Sequence, residues 1–182
     1  MILTIQIDSW KYKEKPTVGE NRRIRKRLKE RQITTEELRR ALLRGQTVQP
    51  AIMDASGNFI RQQVFMVDVD EGRSVKDSIE VCRREKIVPM MIYRTFSGSS
   101  TEQRHRLVFV LTEPVEDAKQ RDAIQEALIR LFAGDPKTKD RRRLFFGGTM
   151  AYNYMGGVIP QSKINALLEQ TNKGGDKECI MK

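Results

Sequence analysis

Asp68 and Asp70 close an apolar run, Val64-Phe65-Met66-Val67-Asp68-Val69-Asp70. On a β-strand, a spacing of two puts both carboxylates on one face, with Cα atoms roughly 6–7 Å apart. Bare, the two charges would repel each other in a partly dry site. A divalent cation removes that cost. Mg²⁺ and Mn²⁺ take oxygen ligands, commonly a few carboxylates together with substrate phosphates. Two such ions about 4 Å apart can activate an attacking oxygen and stabilise a leaving one. The plain alternative is a strand end with both aspartates in water. A third carboxylate would separate the two readings. Asp135 follows Gly134 in a helix-to-strand loop, although Asp-Pro also serves simply to start a turn. Asp140, five residues on, competes with it.

The basic residues supply the complementary chemistry. Arg104 and Arg106 open an apolar strand and share a face, and His105 points the other way. Two guanidiniums on one face make a fork for phosphate oxygens; the alternative is an exposed strand end. His105 reads more simply as a structural or solvent-facing imidazole. Lys137, Lys139, Arg141, Arg142 and Arg143 form a second cluster beside Asp135. A third runs through Arg22, Arg23, Arg25, Lys26, Arg27, Lys29 and Arg31, with Ile24 and Leu28 as a thin apolar stripe. Such a run is often only a solvated helix face. Here Lys+Arg is 34 against 24 Asp+Glu, a net charge of +10. With a pI near 9.8, polyanions are the first partners to consider. Phosphate contacts would position a strand and make binding salt-dependent.

Other chemistries are excluded by what the chain lacks. It has one histidine, His105, and two cysteines, Cys82 and Cys179. A closed zinc site needs four N/S ligands, more than these supply. Two cysteines so far apart make no disulfide framework, which predicts a reduced, cytoplasmic protein. Neither GxxxxGK[ST] nor GxGxxG occurs, against a P-loop or a Rossmann site. The longest apolar runs, Val88–Tyr93 and Leu107–Leu111, are too short to span a bilayer, and no signal segment opens the chain.

The elements that must carry these residues alternate between α and β. Ile2–Ile7 predicts a short strand, Trp10–Gly19 a loop, and Asn21–Arg31 a helix. Thr34 with Glu37 matches a capping box for a second helix through Leu43, ended by Gly45. Val48–Met53 and Phe59–Val69 predict two strands around a Gly57-containing hairpin loop. Ser74 with Asp77 starts a helix whose buried face is Val75, Ile79 and Cys82. Val88–Tyr93 and Arg104–Thr112 predict buried strands joined by a polar loop, Thr95–Gln103. Glu116–Phe132 predicts a helix stopped at Gly134-Asp135-Pro136, then a short strand at Leu144–Phe146. Pro160–Leu168 predicts a last amphipathic helix. The expected division is one domain over 1–170 and a polar, flexible tail over 171–182.

Together these pieces resemble the archaeo-eukaryotic primase superfamily, the primase-polymerase catalytic domain, in the form found in phages and other mobile elements. Phe65-Met66-Val67-Asp68-Val69-Asp70 is similar to its hhhDhD strand. Asp135-Pro136-Lys137-Thr138-Lys139-Asp140-Arg141-Arg142-Arg143, followed by Leu144-Phe145-Phe146-Gly147-Gly148-Thr149, looks like its third motif. The second motif departs. The family places Ser and His two apart before an apolar strand, and here Arg104 and Arg106 hold those positions. His105 could serve there only if the strand carries a bulge. Ser97 and Arg94, in the strand and loop entering this motif, are further candidates. The likeness covers about residues 45 to 150.

The resemblance implies an α+β fold: an N-terminal αβ lobe joined to an RRM-like antiparallel sheet with flanking helices, the site in the cleft between them. It implies a DNA primase/polymerase that transfers nucleotides from nucleoside triphosphates to a primer or initiating nucleotide. Asp68, Asp70 and Asp135 would hold two Mg²⁺ or Mn²⁺ ions. Arg104, Arg106 and Arg143, with Ser97 and His105, would meet the nucleotide. Arg22, Arg23, Arg25, Lys26 and Arg27 would hold the single-stranded DNA template and primer. A helicase or other replication protein is an implied partner, and a membrane is not. Two alternatives stay open. One is a non-catalytic single-stranded-DNA-binding module of a replication initiator, which needs no aspartates. The other is a Toprim-like phosphoryl-transfer domain, which would need a glutamate on an earlier strand; Glu36 and Glu37 fall on a predicted helix instead.

Overall fold

The computed structural model describes residues 1–70, 73–98, 104–153 and 155–178. The N-terminal lobe is β1 (Ile2–Ile7), α1 (Val18–Arg27), β2 (Lys29–Thr34), α2 (Thr35–Leu43) and β3 (Val48–Gln49). Its strands form an antiparallel sheet ordered β2-β1-β3. The larger sheet comprises β4 (Ile52–Met53), β5 (Phe59–Val69), β6 (Met91–Thr95), β7 (His105–Val115) and β8 (Gly148–Asn153). Its order is β4-β5-β7-β6-β8, antiparallel throughout. α3 (Val75–Glu85), α4 (Ala118–Phe132) and α5 (Gln161–Glu178) complete the chain. The run β5-α3-β6-β7-α4-β8 follows the βαββαβ order expected of an RRM-like sheet. β4 is added beside β5, and β8 sits beside β6. This is the α+β architecture expected from the sequence.

Strand alternation divides the core in two. From β5, Phe65, Val67 and Val69 point to one face, where α3, α4 and α5 bring Cys82, Leu128, Phe132 and Ile164. Val64 and Met66 point to the other face, toward Leu3, Ile5, Leu38 and Leu42 of the N-terminal lobe. Asp68 belongs by parity to this second face, so it looks into the seam between the lobes. A short pairing stitches that seam: Phe145 N donates to Val48 O at 2.8 Å and Val48 N to Phe145 O at 2.9 Å.

The helix starts are written in the sequence. Thr34–Glu37 and Ser74–Asp77 both form reciprocal capping boxes, and so does Thr17–Glu20 ahead of α1. Gly45 follows α2 with φ +81°, and a Cβ there would lie 1.9 Å from Tyr12 O. Several boundaries differ from expectation. The basic helix ends at Arg27, and Lys29–Thr34 is an edge strand paired with β1. Every residue of β2 except Ile33 is exposed, so it carries no apolar alternation to read. The expected strand Val48–Met53 is two fragments in different sheets, parted at Pro50, which has no N–H to donate. The strand expected from Val88 starts at Met91 and runs through Thr95. Leu144–Phe146 contributes one bridge, and the strand lies beyond it at Gly148–Asn153. α5 runs beyond the expected Leu168 to Glu178. Residues 99–103 of the expected polar loop and 179–182 lie outside the described residues. Among the described residues, no helix is long and apolar enough to cross a membrane.

Candidate active site

Asp135 and Asp68 lie 67 positions apart in sequence, and the end of α4 joins them. Ala133 takes a left-handed conformation, φ +50°, and closes the helix. Gly134 then lies flat against β5: a Cβ there would sit 2.3 Å from Val67 Cγ1 and 3.0 Å from Asp68 O. That approach lets Asp135 N donate to Asp68 O at 2.8 Å. The Asp135 carboxylate accepts from Lys137 N at 2.9 Å and opens the 3-10 turn Pro136–Lys139. Arg121 secures the turn from behind. It is 2% exposed, donates to Lys139 O at 2.6 Å and to Gln62 Oε1 at 2.8 Å. Burial pulls its pKa down.

A polar row crosses the larger sheet. Tyr93 of β6 is in register with Arg106 of β7, and Arg106 with Asp68 of β5. All three side chains share the face toward the N-terminal lobe. Arg106 makes a buried ion pair with Asp68, each side chain 6% exposed. It also donates to Tyr93 Oη at 2.6 Å and to the Phe146 carbonyl, and its guanidinium lies over the Phe145 ring, 5.0 Å from the centroid. Tyr93 in turn donates to Phe146 O at 2.9 Å. Burial pushes the Tyr93 hydroxyl up to about 12, against the pull of the Arg106 charge. Burial works against the Arg106 charge too, but Asp68 and Tyr93 outweigh it and its pKa is raised. Arg106 is thus held by protein partners that fix the orientation of Asp68, and it also lines the recess in front of them.

His105 lies on the opposite face from Arg106. β7 keeps its register through Arg106 and Val69↔His105, with no bulge there. The imidazole consequently faces the helical layer, is fully buried, and lies with Nε2 2.9 Å from Ser78 Oγ of α3. Arg94, opposite His105 in register, shares that parity.

Around Asp68 gather Asp70, Asp135, Arg143 and Ser97. Asp70 follows the last residue of β5 and keeps contact with solvent. Its carboxyl is pushed up, first by partial burial, then by the Asp68 charge and by Asp135; Arg104 pulls the other way. Arg143 bridges two carboxylates, its Nη2 3.5 Å from Asp68 Oδ2 and 3.5 Å from Asp135 Oδ2. Asp68, Asp70, Ser97 and Arg143 line one recess, joined by Lys15 from the loop after β1. An adjoining hollow carries Asp70, Asp135, Arg25 and Asp140. Asp140 is exposed and accepts from Arg142 N at 2.8 Å, turned to its own loop. Of the basic helix, Arg25 donates to Arg142 O at 3.0 Å, and Arg27 is bound to Asp8 at 2.8 Å. Arg22, Arg23 and Lys26 are exposed. The acidic residues required by the Toprim alternative stay away: Glu36 pairs with Arg39, and Glu37 caps α2.

Lys15 and Tyr93 are participants that sequence reasoning did not assign. Lys15 sits in a Lys/Pro/Gly loop with no distinguishing signal. Tyr93 becomes a candidate only once the β6–β7 register is known.

The carboxylates Asp68, Asp70 and Asp135 offer oxygen only, the donor chemistry of a hard divalent cation. Among the described residues no three acidic, His or Cys side chains converge as a coordination cluster. The Arg143 guanidinium holds the gap between Asp68 and Asp135. The set fits a divalent cation in kind, and binding one between those two carboxylates requires Arg143 to move aside.

No family model and no curated protein matches this sequence. Among solved structures, the chain is similar to the AEP domain of the cyanophage S-2L primase-polymerase. The TM-score is 0.53 at 14% identity, over 92% of this chain and 88% of that one. The catalytic domain of primase RepB′ in complex with initiator DNA aligns with a TM-score of 0.49 at 14% identity, over 100% of this chain and 90% of that one. A second structure of primase RepB′ aligns with a TM-score of 0.49 at 11% identity, over 97% of this chain and 60% of that one. At such identities the likeness to the cyanophage domain is one of fold. The chain has the fold of an AEP primase-polymerase domain.

Proposed function

We propose that this chain is a template-directed DNA primase/polymerase, transferring nucleotides from nucleoside triphosphates to a primer or an initiating nucleotide. The observation that carries the reading is the gathering of Asp68, Asp70, Asp135 and Arg143, from three separate segments, around a recess and the hollow adjoining it at the seam of the lobes. The likeness of fold to a primase-polymerase domain supports it.

In this reading Asp68, Asp70 and Asp135 would hold two Mg²⁺ or Mn²⁺ ions, which would supply Lewis acidity at the attacking hydroxyl and countercharge for the leaving pyrophosphate. The remaining work falls to the chain. Arg106 and Tyr93 keep Asp68 turned toward the recess. Arg143 exchanges its two carboxylates for the triphosphate oxygens, a fork well suited to them. Lys15 adds positive charge in the recess, and Arg104 acts on the Asp70 carboxyl. Arg22, Arg23 and Lys26 take phosphates of the single-stranded template.

The test is nucleotide incorporation on single-stranded DNA, with and without an annealed primer, in Mg²⁺ or Mn²⁺. Asp70→Asn is the informative variant, because Asp70 is exposed and among the described residues no buried group is ion-paired to it. Product from the native chain and its fall by about 10²–10³-fold in the variant is the expected result. Product that survives Asp70→Asn unchanged would overturn the assignment. No product from the native chain, with DNA binding intact, would favour the binding-module alternative.

A further inference from the structure

Trp10 is the sole tryptophan of the chain. It is 60% exposed, and among the described residues it is the one aromatic ring in the set of exposed large apolar side chains. A ring of this size left in water forgoes a large gain from burial, so its placement calls for a reason. It is also not loose. Its backbone N donates to Asp8 Oδ1 at 3.1 Å, and the Arg27 guanidinium lies over the indole, 5.5 Å from the ring centroid. Arg27 is itself fixed. It donates to Asp8 through Nε at 3.0 Å and Nη2 at 2.8 Å, and to Tyr12 Oη at 2.6 Å. Asp8 is fully buried, and its backbone N donates to Thr47 O at 2.9 Å. The indole is thus presented to solvent on a rigid polar base.

Its surroundings are strongly positive. Between residues 9 and 27 there are eight Lys and Arg against Glu14 and Glu20. Lys11, Lys13, Arg23 and Lys26 are exposed. A flat π-face among cations fits a base flanked by phosphates. It fits a single strand, because a duplex keeps its base faces in its own stack. The same loop leads into the recess: Lys15, five residues on, lines it beside Asp68 and Asp70. Five residues of extended chain span at most about 18 Å. The ring and the recess lining at Lys15 are therefore within a few nucleotides' reach of each other.

We propose that Trp10 is a stacking platform for a base of the single-stranded DNA template, held in position by Arg27 and Asp8. This rests on the reading of the chain as template-directed, and it adds a base contact to a surface otherwise read only as phosphate-binding.

The sole tryptophan makes the test direct. The full chain is titrated with a labelled dT 12-mer, an abasic 12-mer with the same phosphates, and a duplex, all in EDTA without nucleotide. Intrinsic fluorescence and label anisotropy are followed together. The dT strand is expected to change the Trp10 emission and to bind about tenfold more tightly than the abasic strand. Trp10→Ala is expected to lose about tenfold in dT affinity with the salt slope unchanged, because no phosphate contact is removed, while Trp10→Phe keeps most of it. Equal binding of dT and abasic strands, an unaltered Trp10 emission on saturation, native affinity in Trp10→Ala, or no strand binding at all would each overturn the proposal. The two readings fail separately. Absent incorporation with the Trp10 effects intact defeats catalysis alone; active incorporation with Trp10→Ala binding like native defeats the platform alone.

Discussion

Asp68 and Asp70 belong to one short motif, yet the structure assigns them opposite effects on stability. Asp68 is the counter-ion of Arg106, and both side chains are 6% exposed. Asp68→Ala strands a buried guanidinium that, among the described residues, keeps the Tyr93 hydroxyl and the Phe146 carbonyl as bonding partners. Breaking such a pair from one side costs about 3–5 kcal/mol. The recess beside Arg106 offers some water and sets the expected loss toward the lower end. For a chain of this size that is a fall in Tm of about 6–20 °C, at about 2–4 °C per kcal/mol. Asp70→Ala should do the reverse. Its carboxyl is partly drawn out of water and repelled by Asp68 and Asp135. Removing it relieves that repulsion and leaves stability within about 0.5 kcal/mol of native, or above it. Replacing both members of the buried pair, Asp68→Leu with Arg106→Met, should recover most of the loss, because apolar side chains of similar volume substitute well for a buried ion pair. Urea unfolding at pH 7 in EDTA measures all four chains. An Asp68→Ala variant within about 1 kcal/mol of native, or an Asp70→Ala variant as unstable as Asp68→Ala, would refute the division of roles.

Three further outcomes follow from the same geometry. The raised pKa of Asp70 makes its ionised form costly to the fold, so that cost is absent below the unfolded value near 3.8 and grows as pH rises through the folded value. The stability advantage of Asp70→Asn over native in EDTA should therefore open as pH rises from about 4 and then level off; Mn²⁺ should close it by stabilising the native chain more. Gly134→Ala forces a Cβ onto Val67 Cγ1 at 2.3 Å. It should cost about 1–3 kcal/mol in urea unfolding and depress incorporation further by moving Asp135 off Asp68. Cys82 is 1% exposed, and burial pushes its thiol up to about 12. In a Cys179→Ser background it should resist iodoacetamide at pH 8 until the chain is unfolded, which mass spectrometry would show.

What the sequence discloses follows how local each determinant is. β5 is legible because Val64-Phe65-Met66-Val67 is an unbroken apolar run, and α2 and α3 because their capping boxes are written within four residues. β2 is not, because an exposed edge strand needs no apolar pattern and borrows its regularity from β1. Parity alone places Arg106 on one face and His105 on the other, as observed. That Arg106 is spent on Asp68 depends on a pairing across 38 residues, which no local pattern contains. Asp135 is singled out by its motif. The reason it reaches Asp68 is Gly134, whose missing side chain matters only once β5 lies beneath it.

The central claim is that the recess performs template-directed nucleotidyl transfer. The most direct test is incorporation of single labelled nucleotides on primed homopolymer templates in Mn²⁺ or Mg²⁺, with Asp70→Asn alongside. The account predicts that the incorporated nucleotide is the complement of the template base and that the signal is lost in Asp70→Asn. Incorporation indifferent to the template base, or equal in the native chain and Asp70→Asn, would contradict it.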